Sequence, residues 1–502
     1  MAATVERAAL APDLTISRVV TGLWQVADME REGPLDVASA ADAMAPYVRA
    51  GLTTFDMADH YGSAEDIAGC FHERAPGGEG AELLTKWVPR PGPLGQGDVR
   101  RAVETSLARL RSERIDLLQL HAWSYADPSW LDALFWLQEL REEGVIRHLG
   151  VTNFDAAHLL VALRSGIRVV SDQVCLSLLD ARPLGRLAPL CVSEGVALLA
   201  YGTLAGGFLG ERWLGAPEPP RDALATWSEM KYMRFIEAAG GWRAFQALLA
   251  TVERVARRHG VSVANVASRW ALEQPGVAGV IVGARLGRSE HVADNLRVFA
   301  FSLDEEDRSE LDEARALLSP IPGEPGDEYR RPPFLTASGD LSHHLDALPP
   351  PYETRLGTDG RTRALSGTRW EEVAGFSRAV RAGDRVWVSG TTATHRDRPV
   401  GGDDPAAQLH FAVDKVEGAL RSLGSRLEDV VRTRVFVRDV RDWEAVARAH
   451  GERFGAVGPA NTLVQAGLVG DEYRVEVEAE AVVGSEGADP GGLPPDPPQP
   501  PR

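Results

Sequence analysis

Residues 115–154 read IDLLQLHAWSYADPSWLDALFWLQELREEGVIRHLGVTNF. Two apolar runs rich in leucine and β-branched residues, at 115–121 and 146–152, bracket a longer stretch whose apolar residues recur at helical spacing. Strand, helix, strand is the unit from which parallel sheets are built. Each run also leads into a polar group, His121 at the end of the first and Asn153 just past the second.

Outward from this unit the alternation runs from Ser17 to about Leu303. Further strand-like runs lie at 19–23, 53–57, 82–86, 169–175, 197–201 and 277–282, and a helix is predicted over 40–49, closed by Gly51. Eight strand–helix pairs in about 300 residues predict an α/β fold, a (β/α)8 TIM barrel spanning 14–316. A doubly wound sheet would place G-x-G-x-x-G after its first strand, and the sequence has none there.

Beyond the barrel, 317–364 shifts in composition. PIPGEPGDEYRRPP at 320–333 and LPPP at 348–351 are proline-rich without sustained periodicity, which predicts a linker or an extended wrap. From 365 to 483 the pattern resumes in another order. Strand patterns at 386–390, 430–437, 462–464 and 475–483 alternate with helix patterns at 406–423 and 443–454, the content of a smaller α+β domain. Residues 484–502 hold one core-forming residue, Leu493, and read as a disordered tail.

Composition narrows the functions open to such a chain. Apolar residues make up 44% and charged residues 25% of 502, the balance of a folded globular protein and not of a fibrous one. Acidic residues outnumber basic ones 72 to 54, and a net charge of −18 repels a phosphate backbone, so no nucleic-acid partner is expected. The three cysteines, Cys70, Cys175 and Cys191, form no C-x-x-C pair; a reducing cytoplasm and no metal are expected. Glu6, Arg7 and Asp13 interrupt what would be the apolar stretch of an export signal, and no apolar run reaches the roughly 18 residues of a membrane helix. No membrane partner is expected either.

In a (β/α)8 barrel the C-terminal ends of the strands converge on one mouth. Here those ends read FDMADHYG (55–62), LLTKW (83–87), LLQLHAW (117–123), LGVTNF (149–154), SDQV (171–174), LLAYG (198–202) and IVGAR (281–285). Each strand hands a polar group to the mouth: Asp56 with Tyr61, then Lys86, His121, Asn153, Gln173, Tyr201 and Arg285. Singly, each also fits a plain role as helix cap, turn tyrosine or strand-end histidine. Their shared position singles them out. A buried ammonium at Lys86 needs a partner, and Asp56 is the available carboxylate.

On these residues the region 19–311 resembles the aldo/keto reductase family. The family pattern D-x-A-x-x-Y-G appears as Asp56, Ala58, Tyr61 and Gly62, and its strand-end lysine and histidine match Lys86 and His121. The resemblance implies a catalytic tetrad of Asp56, Tyr61, Lys86 and His121 acting on a small-molecule carbonyl. Tyr61 protonates the developing alkoxide, Lys86 favours the phenolate, Asp56 holds Lys86, and His121 orients the substrate oxygen. It also implies NADP(H) as cofactor. The family's S-N-F reads Thr152, Asn153, Phe154, with Thr152 a conservative departure. Its other cofactor positions match Gln173, Tyr201, Leu204, Gly206, Gly283, Arg285, His291, Asp294 and Asn295. Tyr201 would stack on the nicotinamide, and Arg285 would hold the adenosine 2′-phosphate. Trp24, Trp87 and Trp123 flank these positions and are expected to wall the substrate pocket or to serve packing alone.

The region 370–483 resembles the reactive intermediate deaminase (Rid, YjgF-like) family in GFSRAVRAGDRVWVSG, EDVVRTRVFVRDV, GPANTLV and VEVEAEAV. That resemblance implies a chorismate-mutase-like fold, assembly as a homo-trimer with ligand clefts between subunits, and cleft residues Phe376, Asn461 and Glu476. Asn461 stands where the deaminating members carry an arginine for a substrate carboxylate, and Phe376 where they carry a tyrosine; Glu476 is kept. Without the guanidinium, bidentate carboxylate binding is lost, so this domain is expected to be an oligomerisation scaffold or to take another ligand.

Three functions stand as expectations. The first is an NADPH-dependent reductase of an aldehyde or ketone. The second is a reductase of a cyclic imine that the Rid-like domain handles, and the third a non-enzymatic nucleotide-sensing protein. The complete tetrad favours the first. A barrel carrying its whole site is further expected to remain an active reductase when the chain is cut near Pro349.

Overall fold

Alternation of side chains along each strand, closed on itself, explains the architecture of the first domain. The computed structural model describes residues 4–74, 80–90, 94–288, 291–331 and 348–484. A hairpin of β1 (Arg7–Ala11) and β2 (Leu14–Ser17) precedes the eight parallel strands. These are β3 (Val19–Gly22), β4 (Thr54–Asp56), β5 (Glu82–Trp87), β6 (Ile115–His121), β7 (Ile146–Thr152), β8 (Val169–Cys175), β9 (Ala197–Tyr201) and β10 (Val277–Gly283). They form a closed barrel in which β10 returns to β3, pairing Val280 with Val19 through to Gly283 with Gly22. The interior is tight: a Cβ on Gly150 of β7 would lie 2.6 Å from Ser171 Oγ and 3.0 Å from Gln119 Cγ, so only glycine fits there.

Two local features depart from the sequence reading. The hairpin, turning at Pro12 and Asp13, seals one end of the barrel by packing Leu10, Leu14 and Ile16 with Val20, Leu84, Leu117 and Leu199. The helix predicted over 40–49 is two, Val37–Asp42 and Ala45–Arg49, because Pro46 is tolerated only in a first helical turn.

In the second domain a seven-stranded sheet has the order β11–β12–β13–β14–β19–β17–β18. Its strands are β11 (Glu353–Leu356), β12 (Thr362–Leu365), β13 (Ala379–Ala382), β14 (Arg385–Thr392), β17 (Val430–Val437), β18 (Ala460–Gln465) and β19 (Val475–Val482); β15 (Thr394–His395) and β16 (Arg398–Pro399) make a separate ribbon. Val475, Val477, Ala479 and Ala481 of β19 are buried on the face that the helices Pro405–Ser422 and Trp443–Phe454 cover. Glu476, Glu478 and Glu480 alternate with them toward the open face.

The stretch expected as linker is ordered at both ends. Residues Asp327–Arg330 form a helical turn, and β11 and β12 form a hairpin that extends the second sheet. Residues 332–347, and the tail 485–502, lie outside the described residues.

The barrel is not a separate packing unit. Ala393, Val400, Ala407 and Phe411 of the second domain belong to the barrel's own apolar cluster. Ion pairs cross the same face: Arg164 Nε to Asp404 Oδ2 at 3.1 Å and Arg186 Nη1 to Glu452 Oε2 at 2.6 Å. A cut near Pro349 would therefore strip apolar cover from the barrel instead of releasing it intact. No helix among the described residues is long and apolar enough to cross a membrane, and Cys70, Cys175 and Cys191 are all buried free thiols.

Candidate active site

Strand ends β4, β5 and β6 point Asp56, Lys86 and His121 into one cavity of about 610 Å³ that Tyr61, from the loop after β4, also lines. Lys86 Nζ donates to Asp56 Oδ2 at 2.6 Å, with both side chains 4% exposed. The other carboxylate oxygen accepts from Gln173 Nε2 at 2.7 Å and Gln119 Nε2 at 3.3 Å. Asp56 thus sits in a fully polar cage at the barrel floor, and its charge is matched by Lys86. Gln119 was not singled out in the sequence, although its place two residues before His121 puts it on the same inward face.

Tyr61 is held edge-on by Trp24 and His60, with ring centroids 4.8 Å away in each case. Lys86 Nζ lies 5.0 Å from the centre of its ring. Burial pushes the phenol well above its ordinary value, and Asp56 and Tyr329 push it further. The phenol is neutral here, and Lys86 holds its charge against Asp56 within reach of it. Burial also lowers Lys86 from its ordinary value, with Asp56 opposing. His121 is driven well below its ordinary value by burial, then by Arg330 and His60, so the ring is neutral. Its Nε2 is buried with no hydrogen-bond partner among the described residues.

The expected cofactor residues Thr152, Asn153, Gln173, Tyr201, Leu204, Gly206, Gly283, Arg285, His291, Asp294 and Asn295 all line this same cavity. Asn153 adopts φ 61°, a left-handed conformation that asparagine tolerates, and this turns its side chain to accept the Tyr201 hydroxyl at 2.7 Å. Thr152 Oγ1 donates to the Gln173 carbonyl at 2.9 Å. Asp294 Oδ2 accepts from Ser262 Oγ and Asn265 Nδ2, both at 2.8 Å, which ties it to the start of the helix Val263–Leu272. Arg285 Nε is buried without a partner among the described residues.

Of the three tryptophans, Trp24 and Trp123 line the cavity and Trp87 does not. Thr85, two residues before Trp87, donates to Glu65 in the surrounding helix layer, so β5 turns Thr85 and Trp87 outward and Lys86 inward. Trp87 packs in the barrel's outer apolar cluster.

The cavity also takes side chains that no strand-end rule finds. Tyr329 contributes from the short helix Asp327–Arg330 and Lys231 from the helix Trp227–Ala238. Lys231 Nζ donates to the Tyr329 hydroxyl, which lies 3.3 Å from the Tyr201 hydroxyl, and the Tyr329 ring stands 5.4 Å from the His121 ring. Arg330 fastens this helix across the mouth by donating to Asn153 O at 2.7 Å and Ala122 O at 2.8 Å.

In the second domain, Asn461 and Glu476, expected in a cleft between subunits, lie apart within one chain. Asn461 Nδ2 donates to Thr433 Oγ1 at 3.0 Å, on the helix-covered side of the sheet. Glu476 pairs in register with Phe436, three residues and one side change from Thr433, and so faces the open side. Phe376 lies near Glu476's neighbour Arg378, whose guanidinium is 6.0 Å from the Phe376 ring. Within one chain, Asn461 and Glu476 occupy opposite faces.

Comparison with known proteins matches both halves. Residues 18–316 match the model of the Aldo/keto reductase family, and residues 367–483 match that described as Endoribonuclease L-PSP. The chain is 30% identical to 6-dehydroglucose reductase of Agrobacterium fabrum over 319 residues, 59% of this chain and 93% of that protein. It is 45% identical to an uncharacterized protein of Streptomyces coelicolor over 124 residues, 24% of this chain and 92% of that one. Among solved structures, a glycerol dehydrogenase from Gluconobacter oxydans superposes with a TM-score of 0.51 at 26% identity, covering 64% of this chain and 98% of its own.

Proposed function

Because the chain belongs to the aldo/keto reductase family of oxidoreductases, we propose that it reduces an aldehyde or ketone with NADPH, Tyr61 delivering the proton. The observation that carries this reading is the convergence of Tyr61, the Lys86–Asp56 pair and the unpartnered His121 Nε2 on one cavity. A carbonyl oxygen placed between Tyr61 and His121 meets a neutral phenol that can donate and a neutral imidazole that can hold it in line. Lys86 keeps a positive charge beside the phenol as the proton leaves, and Asp56 prevents that charge from drifting.

The residues present fit a nicotinamide dinucleotide. The cavity volume suits a large ligand, and Gly206, where a Cβ would lie 2.7 Å from Ser228 O, lets the loop lining the cavity pack directly on the helix Trp227–Ala238. When bound, the nicotinamide supplies the hydride. Tyr201, its hydroxyl fixed by Asn153, offers a flat face for the ring, and Arg285 brings an unpartnered guanidinium nitrogen for a phosphate. That nitrogen supports NADPH over NADH. The relative named for 6-dehydroglucose supports a carbonyl over an imine substrate.

For the second domain the same reading gives assembly of three chains through the open sheet face, where Trp387 and Val464 are 41% and 43% exposed. Light scattering that finds a monomer overturns that part. The test of the reductase reading is NADPH oxidation by the full chain with a carbonyl panel, alongside Tyr61→Phe. Retention of full turnover by that variant removes Tyr61 as the acid; an iminium, which already carries its proton, would be the substrate that tolerates the change.

A further inference from the structure

The helix Pro405–Ser422 belongs to the second domain by sequence, yet one of its faces lies against the loop that follows β6 in the barrel. That loop, residues 122–126, follows His121 and carries Trp123, whose ring is 4.5 Å from the His121 ring. At Gly418 the helix passes so close that a Cβ would come within 2.5 Å of Ala126 O. One turn earlier, Asp414 Oδ1 lies 3.1 Å from His158 Nε2 and 2.7 Å from Arg453 Nη1, while His158 Nδ1 lies 2.7 Å from Asp155 Oδ1. A carboxylate at each ring nitrogen requires both nitrogens to donate, which only the imidazolium does. Burial opposes that charge, and Asp155 and Asp414 outweigh it.

His158 in turn carries Tyr125 of the loop. The two rings stack 3.4 Å apart and 8° from parallel, and the Arg330 guanidinium covers Tyr125 at 4.4 Å from its ring centre. Arg330 is the side chain that fastens Asp327–Arg330 over the mouth. The chain of contacts is thus continuous from Asp414 through His158 and Tyr125 to the loop carrying Trp123.

We propose that the second domain positions the substrate wall of the barrel: Asp414 and Gly418, neighbours on one helix face, hold the loop 122–126 in the place where Trp123 closes on His121. This rests on the reading of the cavity as a reductase site. It gives the fusion a physical consequence within a single chain, since a reductase barrel without that helix lacks the support under one wall.

The test uses the full chain, NADPH and 4-nitrobenzaldehyde as a generic carbonyl probe. Asp414→Asn keeps the shape and removes the charge that both His158 and Arg453 face, so exchange in the helix Trp443–Phe454 that carries Arg453 is read beside exchange in the loop; Gly418→Leu leaves that ion pair in place and drives a side chain into Ala126 O. The expected result is a KM for the aldehyde raised about tenfold, with kcat and NADPH affinity within about twofold, because Trp123 acts on substrate and not on cofactor. Amide hydrogen exchange at 122–126 should rise about tenfold while β14, β17 and β19 keep their protection. If Gly418→Leu does not fold, Asp414→Asn decides alone. Unchanged exchange at 122–126 in a folded Asp414→Asn chain overturns the proposal, as does a loss of kcat and NADPH affinity in step with KM. Should the native chain reduce no carbonyl, the exchange result still decides the positioning claim, and only the reductase reading falls.

Discussion

The mouth of the barrel and the open sheet of the second domain bring strand residues together in different ways. In the barrel, strand ends converge: Asp56, Lys86, His121, Gln173 and Tyr201 come from five strands and line one cavity. In the second domain, Asn461 and Glu476 come from strands of one sheet and point to opposite faces. Closure makes the difference. A closed barrel has one inside, so every inward residue at the strand ends meets every other. An open sheet has two faces, and a shift of one residue sends a side chain to the wrong one.

The hardest way to break the first half of this comparison is Tyr61→Phe. Loss of the Tyr61 phenol, which lies beside Lys86, should lower kcat about a thousandfold, leaving the NADPH dissociation constant unchanged in a fluorescence titration. The pH profile comes next. His121 is lowered well below, and Tyr61 raised well above, their ordinary values, so neither titrates between about 6.5 and 10. Lys86 is lowered by burial, and as pH rises through its value the ammonium is lost, Asp56 stands uncompensated beside Tyr61, and the phenol becomes a poorer acid. The profile of kcat/KM should therefore be flat from about 6.5 upward and show a single alkaline fall of about tenfold per pH unit. An acidic limb centred near neutral pH would show that His121 titrates and is not held neutral.

Arg285→Ala should weaken NADPH by about 1.5 to 3 kcal/mol, the scale of a charged hydrogen bond, and leave NADH nearly untouched. Equal loss for both nucleotides would make Arg285 a structural residue. A smaller effect sharpens the rule of alternation within one barrel strand. Trp123→Phe should raise the aldehyde KM, whereas Trp87→Phe, on the outer face of β5, should leave KM alone and cost about 1 kcal/mol of stability, read as a lower melting temperature. The smallest effect tests the open sheet. Asn461→Arg should confer no hydrolysis of amino-acid-derived imines, because the new guanidinium would lie across the sheet from Glu476. Gain of such activity would mean that the two faces meet in an assembly of several chains.

The sequence alone marked the barrel because its signal is local and repeated. From the second strand on, the apolar runs carry a polar group at or just past their ends, and the two-residue alternation of a strand then decides which side chains enter the mouth. It erred at Trp87 by counting proximity along the chain in place of that alternation, and it passed over Gln119, which the alternation identifies. Family resemblance puts Phe376, Asn461 and Glu476 in a cleft between subunits, a meeting that one chain's open sheet does not by itself enforce.

What the sequence determined, then, is the set of groups at the strand ends, Asp56, Lys86, His121 and Gln173 among them, since strand period and barrel closure are short-range rules with one outcome. Tertiary structure alone decided the rest of the wall. Tyr329 reaches His121 from 208 positions later in the chain, Arg330 fastens on Asn153, and Gly418 backs the loop at Ala126. Those meetings depend on how a proline-rich segment folds back and on how two apolar faces dock, and no local period encodes either: docking is set by the shape and charge of whole surfaces, which exist only once both domains have folded.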